Sequence, residues 1–198
     1  TTTQIVPTGL AFVYAVPQPG GWAGSIFEVP FVVEVRDIEG NTVTTATDSV
    51  TIAITSDTGT SGATLLGTAT VSAVNGVATF SDLRIDKAGT GYTLTASSGS
   101  LASGVSSSFD VSAGAASALV VTGDPSTTVA LEAFGTQPIV QVQDAYGNLV
   151  TSSSVQVTAS ITTGTGISGA ILSGSTTVTA SNGIATFNDL AIDLPGSG

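Results

Sequence analysis

The residues best suited to chemistry in this sequence are aspartates that recur as pairs. Asp82 and Asp86 have the same spacing as Asp189 and Asp193, which lie 107 positions further along the chain. Residues four apart on a strand share one face, so each pair could offer two hard oxygen ligands of the kind that Ca²⁺ binds. A full calcium site needs about six to eight oxygens, and each pair supplies only part of such a set. The alternative is that the Asp82/Asp86 pair ends a strand and caps a corner.

A second acidic group lies in the segment DIEGN at 37–41. Asp37, Glu39 and Asn41 are matched only in part by Asp144 and Asn148, because a tyrosine takes the place of the glutamate in the later segment DAYGN. The same D-x-x-G-N pattern is typical of a turn in which the aspartate accepts backbone hydrogen bonds and the glycine adopts a positive φ. We therefore assign no metal ligand and no cofactor; calcium is the one cofactor that the sequence leaves open.

Most of the residues that an enzyme would need do not occur in this sequence. There is no histidine and no cysteine, which excludes Ser-His-Asp and Cys-His nucleophiles and metal sites built on imidazole or thiolate. The only lysine, Lys87, is matched by Leu194 in the later part of the chain. The carboxylates are scattered over expected strand ends and turns. We predict a protein that is not an enzyme and has no catalytic residue.

The single tryptophan, Trp22, lies in the segment VPQPGGWAGS at 16–25. An aromatic side chain in a loop rich in Gly and Pro is suited to stacking on a sugar or on a protein partner. The alternative, which we favour, is that Trp22 covers one end of the protein core, because a buried tryptophan adds a large apolar area to a small domain.

The charge balance limits the partners. Fourteen acidic residues against three basic ones give a formal net charge of −11, which disfavours nucleic acids and anionic membranes because both are bound through clustered Lys and Arg. No run of eighteen apolar residues occurs, so no membrane insertion is expected in this segment. A chain of this kind, rich in Thr, Ser and Gly and without Cys, favours an extracellular location, on a cell surface or secreted.

The chain repeats itself with a period of one domain. Residues 75–91 read NGVATFSDLRIDKAGTG and residues 182–198 read NGIATFNDLAIDLPGSG, with 11 of 17 positions identical. We predict one repeat at 10–113 and a second at 114–198, with residues 1–9 as a leader strand or the end of a preceding repeat. Since Gly198 matches Gly91, the second repeat is expected to be incomplete, stopping before the counterparts of its last two strands. The interpretation that we favour is that the chain is a fragment or part of a longer array; the alternative is that a neighbouring subunit donates the missing strand.

Alternating side chains predict strands throughout. Phe31, Val33 and Val35 share one face of the first clear strand, and polar residues occupy the other face. Tyr92 followed by Leu94 fits the corner of an immunoglobulin (Ig) domain, in which a tyrosine hydroxyl ties down the turn and the second residue enters the core. The fold class is thus predicted as all-β: two tandem Ig-like antiparallel β-sandwiches. The other predicted strands of the first repeat are 10–16, 49–55, 68–73, 76–80, 91–97 and 105–112.

The segments VEVRDIEGNTV, VQVQDAYGNLV, NGVATFSDLRID and AGTGYTLTASSG resemble the bacterial Ig-like tandem repeats of surface proteins, of the invasin/intimin-like adhesin and surface-layer type. The resemblance implies a non-enzymatic structural module, a rod-like spacer whose partners are neighbouring repeats or subunits of the same protein. One alternative is a self-assembling filament or surface-layer subunit, completed by strand donation from a neighbour, with residues 1–6 as the first candidate donor. Another is a glycan- or receptor-binding adhesin module that uses the 16–25 segment and recognises host or surface glycans.

Overall fold

The computed structural model describes residues 5–13 and 20–196. The chain divides into two compact units, unit 1 (1–114) and unit 2 (115–198). In the described residues the fold is all-β, as predicted, and no segment there forms a helix that could cross a membrane.

The strands of unit 1 are β1 (Gly9–Phe12), β2 (Gly21–Trp22), β3 (Phe31–Arg36), β4 (Ser49–Ile54), β5 (Leu65–Leu66), β6 (Thr70–Ser72), β7 (Val77–Phe80), β8 (Arg84–Ile85), β9 (Gly89–Tyr92), β10 (Leu94–Ser97), β11 (Gly104–Val105) and β12 (Phe109–Ser112). Those of unit 2 are β13 (Ala118–Gly123), β14 (Ile139–Gln143), β15 (Gln156–Thr158), β16 (Leu172–Ser173), β17 (Thr177–Thr179), β18 (Ile184–Thr186) and β19 (Ala191–Ile192).

Unit 1 is built from three main sheets around one core. Their strand orders are β1-β3-β7, β11-β10-β4-β6 and β2-β12-β9, and β5 pairs with β8 beside them. The alternation predicted for 31–36 holds on β3: Phe31, Val33 and Val35 are fully buried. Glu34 and Arg36 lie on the outer face, where their side chains form an ion pair at 3.0 Å. One apolar face and one polar face are typical of a strand whose sheet covers the core on one side only, and β3 is central because it pairs with β1 and with β7.

The predicted tyrosine corner is present. Tyr92 and Leu94 are both fully buried, and the Tyr92 hydroxyl donates a hydrogen bond to the carbonyl oxygen of Lys87 at 3.0 Å. The single strand predicted at 91–97 is, however, two strands that meet at Thr93. β9 pairs with β12, whereas β10 pairs with β4, so the chain passes from one sheet to another at the corner. Alternation continues across such a crossing, which is why the sequence pattern does not reveal it.

Three further details differ from the sequence prediction. The expected all-antiparallel arrangement is wrong, because β2 runs parallel to β12 with Val111 opposite Gly21, and Gly9 of β1 forms a parallel bridge with Ala102. The predicted strand 105–112 is divided into β11 and β12. The predicted strand 10–16 is observed as β1, and its residues 14–16 lie outside the described residues, as do residues 1–4 of the predicted donor segment.

Unit 2 repeats the central part of this plan. β14 lies between β13 and β18, β15 pairs with β17, and β16 pairs with β19. The register of the first sheet is repeated, since Leu119 faces Val142 as Leu10 faces Val35. Its core is formed by apolar side chains of these strands and of the loop after β18: Val140, Val142, Val157, Ala185, Phe187 and Leu190.

Candidate functional site

The acidic group at 37–41 forms a turn. Oδ1 of Asp37 accepts hydrogen bonds from the backbone N–H groups of Glu39 (3.0 Å) and Asn41 (2.9 Å), and Gly40 has a φ of +87°. The Asn41 N–H, more than any other group, lowers the pKa of Asp37 because it stabilises the ionised carboxylate. The oxygens of Asp37 are therefore engaged in holding the loop between β3 and β4.

The counterpart in unit 2 has the same geometry. The backbone N–H groups of Tyr146 and Asn148 donate to Oδ1 of Asp144, each at 2.9 Å, and the Asn148 side-chain amide donates to Oδ2 at 2.9 Å. Asp144 and Asn148 are both buried. The hydrogen bond from Tyr146 to Asp144 comes from its backbone N–H, as the bond from Glu39 to Asp37 does, which explains how a tyrosine can replace Glu39 without loss of the turn. The turn interpretation of D-x-x-G-N is confirmed in both units.

The aspartates at 82 and 86 bind backbone at the two ends of the β5–β8 pair. Asp82 accepts hydrogen bonds from the N–H (2.9 Å) and the hydroxyl (2.8 Å) of Thr68, and Asp86 accepts one from the N–H of Thr64 (2.7 Å). The backbone N–H of Thr68 is also the main cause of a lowered pKa for Asp82. The two carboxylates therefore clamp the 64–68 segment from either end.

The same clamp occurs in unit 2. Asp189 accepts hydrogen bonds from the N–H (2.8 Å) and the hydroxyl (2.9 Å) of Ser175, which lowers its pKa, and Asp193 accepts one from the N–H of Ile171 (2.7 Å). The recurring pairs seen in the sequence thus recur together with their partners. Within residues 5–13 and 20–196, no three acidic side chains are grouped closely enough to hold a metal ion.

Trp22 is exposed, and the expectation that it covers the core is wrong. Its side chain is 58% exposed, whereas the next residue, Ala23, is buried. The backbone here is closely packed: a Cβ at Gly21 would lie 2.9 Å from the ring of Phe27, and the Ala23 N–H donates to the carbonyl oxygen of Ser112 at 2.8 Å. With Gly21 and Ala23 directed inward, strand alternation turns the indole outward. Residues 16–19 of the predicted contact loop lie outside the described residues.

Sequence reasoning did not find the aromatic cluster at the centre of unit 1. The Phe109 ring centroid lies 5.4 Å from that of Phe27, 5.7 Å from that of Phe31 and 6.1 Å from that of Tyr92. These residues come from four separate segments of the chain. The local sequence around each residue predicts only that its side chain is buried. It does not predict that the four rings contact one another.

Comparison with known proteins gives a distant structural similarity. No known protein family and no curated protein match the sequence. Among solved structures the chain is similar to FdeC, a broadly conserved adhesin of Escherichia coli, with a TM-score of 0.43 and 17% identity. The match covers 96% of this chain and spans 57% of the FdeC chain. A similarity this distant identifies neither a ligand nor an activity.

Proposed function

We propose that this chain is a non-enzymatic extracellular structural module, a rod-like spacer in a cell-surface adhesin or related surface protein. The observation that carries the proposal is the shared role of the acidic residues. In both units the candidate chemical groups accept hydrogen bonds from backbone N–H groups. Asp37 and Asp144 bind the backbone of a turn, whereas Asp82, Asp86, Asp189 and Asp193 bind the segments that flank the short strands β5 and β16. The acidic residues that recur in both units therefore stabilise the fold, which supports a structural role for the module.

A spacer also requires folded units that do not associate nonspecifically with one another. The net charge of −11 keeps copies apart in solution through repulsion. The partners in this proposal are neighbouring repeats or subunits of the same protein, which meet at specific interfaces. Tandem units that fold separately lengthen a protein in proportion to their number.

Stretching single molecules tests the spacer proposal. When the full chain is pulled from its ends, unit 1 should unfold in one discrete event and refold when the force is released. The roughly 104 residues from β1 to β12 should add about 35 nm of contour length, at about 3.4 Å per residue. The event should be unchanged in EDTA, because Asp82 and Asp86 bind backbone groups. Gradual extension without a discrete event, or a loss of the event in EDTA, would contradict the proposal.

A second candidate function is a glycan- or receptor-binding adhesin module, and the exposure of Trp22 favours it. The indole is presented from a strand whose backbone is fixed by Phe27 and Ser112. A rigid exposed aromatic ring can stack on the apolar face of a sugar at small entropic cost.

The Trp22→Ala variant separates the two functions. Trp22 is the only tryptophan, so its fluorescence reports directly on a bound sugar. If the adhesin function is right, a glycan that quenches this emission should lose its binding to the variant, while the melting temperature stays the same because the side chain is exposed. Binding that survives in the variant, or a wild-type chain whose emission no glycan alters, would rule out this use of Trp22.

A further inference from the structure

The outer face of the β2-β12-β9 sheet carries a carboxylate beside Trp22. β12 alternates between buried and exposed residues, so Asp110 and Ser112 lie on its outer face while Phe109 and Val111 enter the core. In the parallel pairing of β2 with β12, Ser112 is opposite Trp22. Residues that are opposite one another in a sheet point to the same side, so Asp110, Ser112 and the exposed indole share one face.

The spacing on this face suits a single sugar ring. Neighbouring strands lie about 4.8 Å apart, and two residues along a strand span about 6.6 Å. Trp22 is therefore one strand away from Ser112, and Asp110 lies about 6.6 Å further along β12. A pyranose ring with its hydroxyl groups reaches across such a span, so one ring can contact both the indole and the carboxylate.

A β-bulge fixes the orientation of the Asp110 carboxylate. The register between β9 and β12 shifts here, and two residues of β9, Thr90 and Gly91, lie opposite Asp110 alone. The backbone N–H of Gly91 donates to Oδ1 of Asp110 at 2.8 Å. Oδ2 accepts no hydrogen bond from the described residues. One oxygen therefore holds the side chain in place, and the other is available to a ligand.

Gly91 leaves the surface beside Asp110 uncovered. Its φ is +72°, a conformation that favours glycine, and no described atom lies within 4 Å of the position that a Cβ would take. A ligand can therefore approach the carboxylate from outside the sheet without displacing a side chain at this position.

The charges of the chain decide which ligands fit this face. A sugar that carries a carboxylate or a sulfate would be repelled by Asp110 and by the net charge of −11. An arginine of a protein partner binds a carboxylate best through both oxygens, but Oδ1 already accepts the Gly91 N–H. A sugar hydroxyl needs only one acceptor oxygen, and its bond to a charged acceptor is strong. An uncharged sugar satisfies all of these conditions.

We propose that this face binds an uncharged pyranose of the glucose or galactose type, with Trp22 and Asp110 as its two contacts. The indole stacks on the C–H groups of one face of the ring, and a hydroxyl on the ring edge donates to Oδ2 of Asp110. This inference rests on the second candidate function, the glycan-binding adhesin module, and adds the class of glycan and a second contact residue. It does not depend on the spacer role.

Because Trp22 is the only tryptophan, NMR spectroscopy can follow the site in the full 198-residue chain. Methyl β-glucoside and methyl β-galactoside are titrated into isotope-labelled protein, and the signals of the indole N–H and the Gly91 amide are observed. At least one of the two sugars should shift both signals saturably, with a dissociation constant of about a millimolar. Methyl β-glucuronide, which differs from the glucoside in carrying a carboxylate, should bind at least about tenfold more weakly.

Two variants separate a ligand contact from a structural role of Asp110. Asp110→Asn keeps an oxygen for the Gly91 N–H but removes the charged acceptor, so it should weaken glucoside binding at least about tenfold at an unchanged melting temperature. It should also remove most of the discrimination against the glucuronide, which loss of a structural role would not do. Glu39→Gln removes one acidic charge from the turn after β3 and, as the control, should leave both affinities unchanged.

Three results would overturn the inference. The first is that neither neutral glycoside shifts the two signals saturably. The second is that the glucuronide binds as tightly as the glucoside, or that Asp110→Asn leaves glucoside binding unchanged. The third is that a tetra-arginine peptide binds more tightly than the glycosides and loses its binding in Asp110→Asn, which would make a basic protein segment the occupant.

Failure of this inference can be distinguished from failure of the adhesin function. If the Trp22 emission responds to acidic glycans but not to neutral ones, the class of ligand is wrong and the adhesin function stands. If the emission responds to no glycan, the adhesin function fails as well. Neither result bears on the spacer proposal, which is tested by stretching.

Discussion

Replacing Gly59 with alanine is expected to destabilise unit 1 by about 2–5 kcal/mol, whereas Gly166→Ala should cost unit 2 only about 1–2 kcal/mol. Both glycines have a positive φ, so both variants bear the strain of a left-handed alanine. Only at Gly59 does the new methyl group meet the ring of Tyr92, which is fully buried and tied to Lys87 through its hydroxyl. Displacing that ring adds the cost of an overpacked core.

Amide hydrogen exchange on the full chain measures the two effects separately, because peptides from each unit report on that unit's own opening. Gly59→Ala should speed exchange in β9 and β10 and leave β14 and β18 unchanged. Gly62→Ala is the matched control, since Gly62 lies in the same loop with a φ of +75° and no atom within 4 Å of the new methyl position. If Gly59→Ala and Gly62→Ala lowered the stability of unit 1 equally, the Tyr92 ring would be shown to move away from the new methyl group without loss of stability.

The sequence was sufficient for the parts of the fold that depend on local patterns. Alternation on 31–36 predicted the buried face of β3, and the spacing of Tyr92 and Leu94 predicted the corner and its hydrogen bond. The change of sheet at Thr93 and the parallel β2–β12 pair were not predicted. Both depend on contacts between segments far apart in the chain. The alternation of buried and exposed side chains along a strand is the same whichever sheet the strand joins, so it does not reveal the pairing.

At the candidate site, too, the features that depend on a local sequence pattern could be predicted, and those that depend on contacts between distant segments could not. The turn interpretation of Asp37 and Asp144 follows from the short pattern D-x-x-G-N, since the aspartate bonds within its own loop. The exposure of Trp22 does not follow from its neighbours in sequence. It is decided by Gly21 lying against Phe27 and by the pairing of β2 with β12, which together fix the side of the strand that faces inward.

Truncating Phe109 to alanine is expected to destabilise unit 1 by about 3–5 kcal/mol, the usual cost of removing a buried phenylalanine ring. The ring lies among those of Phe27, Phe31 and Tyr92, edge-on to the first at 83° and stacked on the last at 25°. Its loss removes contacts with three segments at once. The neighbours that would have to close the cavity are held by hydrogen bonds, as the N–H of Phe27 is by the carbonyl oxygen of Leu83.

Denaturant unfolding of the full chain measures this loss of unfolding free energy. Amide hydrogen exchange at β9 and β12 identifies the transition of unit 1. Trp22→Ala is the control, because it removes a larger aromatic ring from the same sheet at an exposed position and should change stability by no more than about 0.5 kcal/mol. A loss below about 1 kcal/mol for Phe109→Ala would mean that the cavity closes readily. The rings would then not hold β12 in place, and the segment 92–111 would have to be held in unit 1 mainly by its strand pairing with β4 and β9.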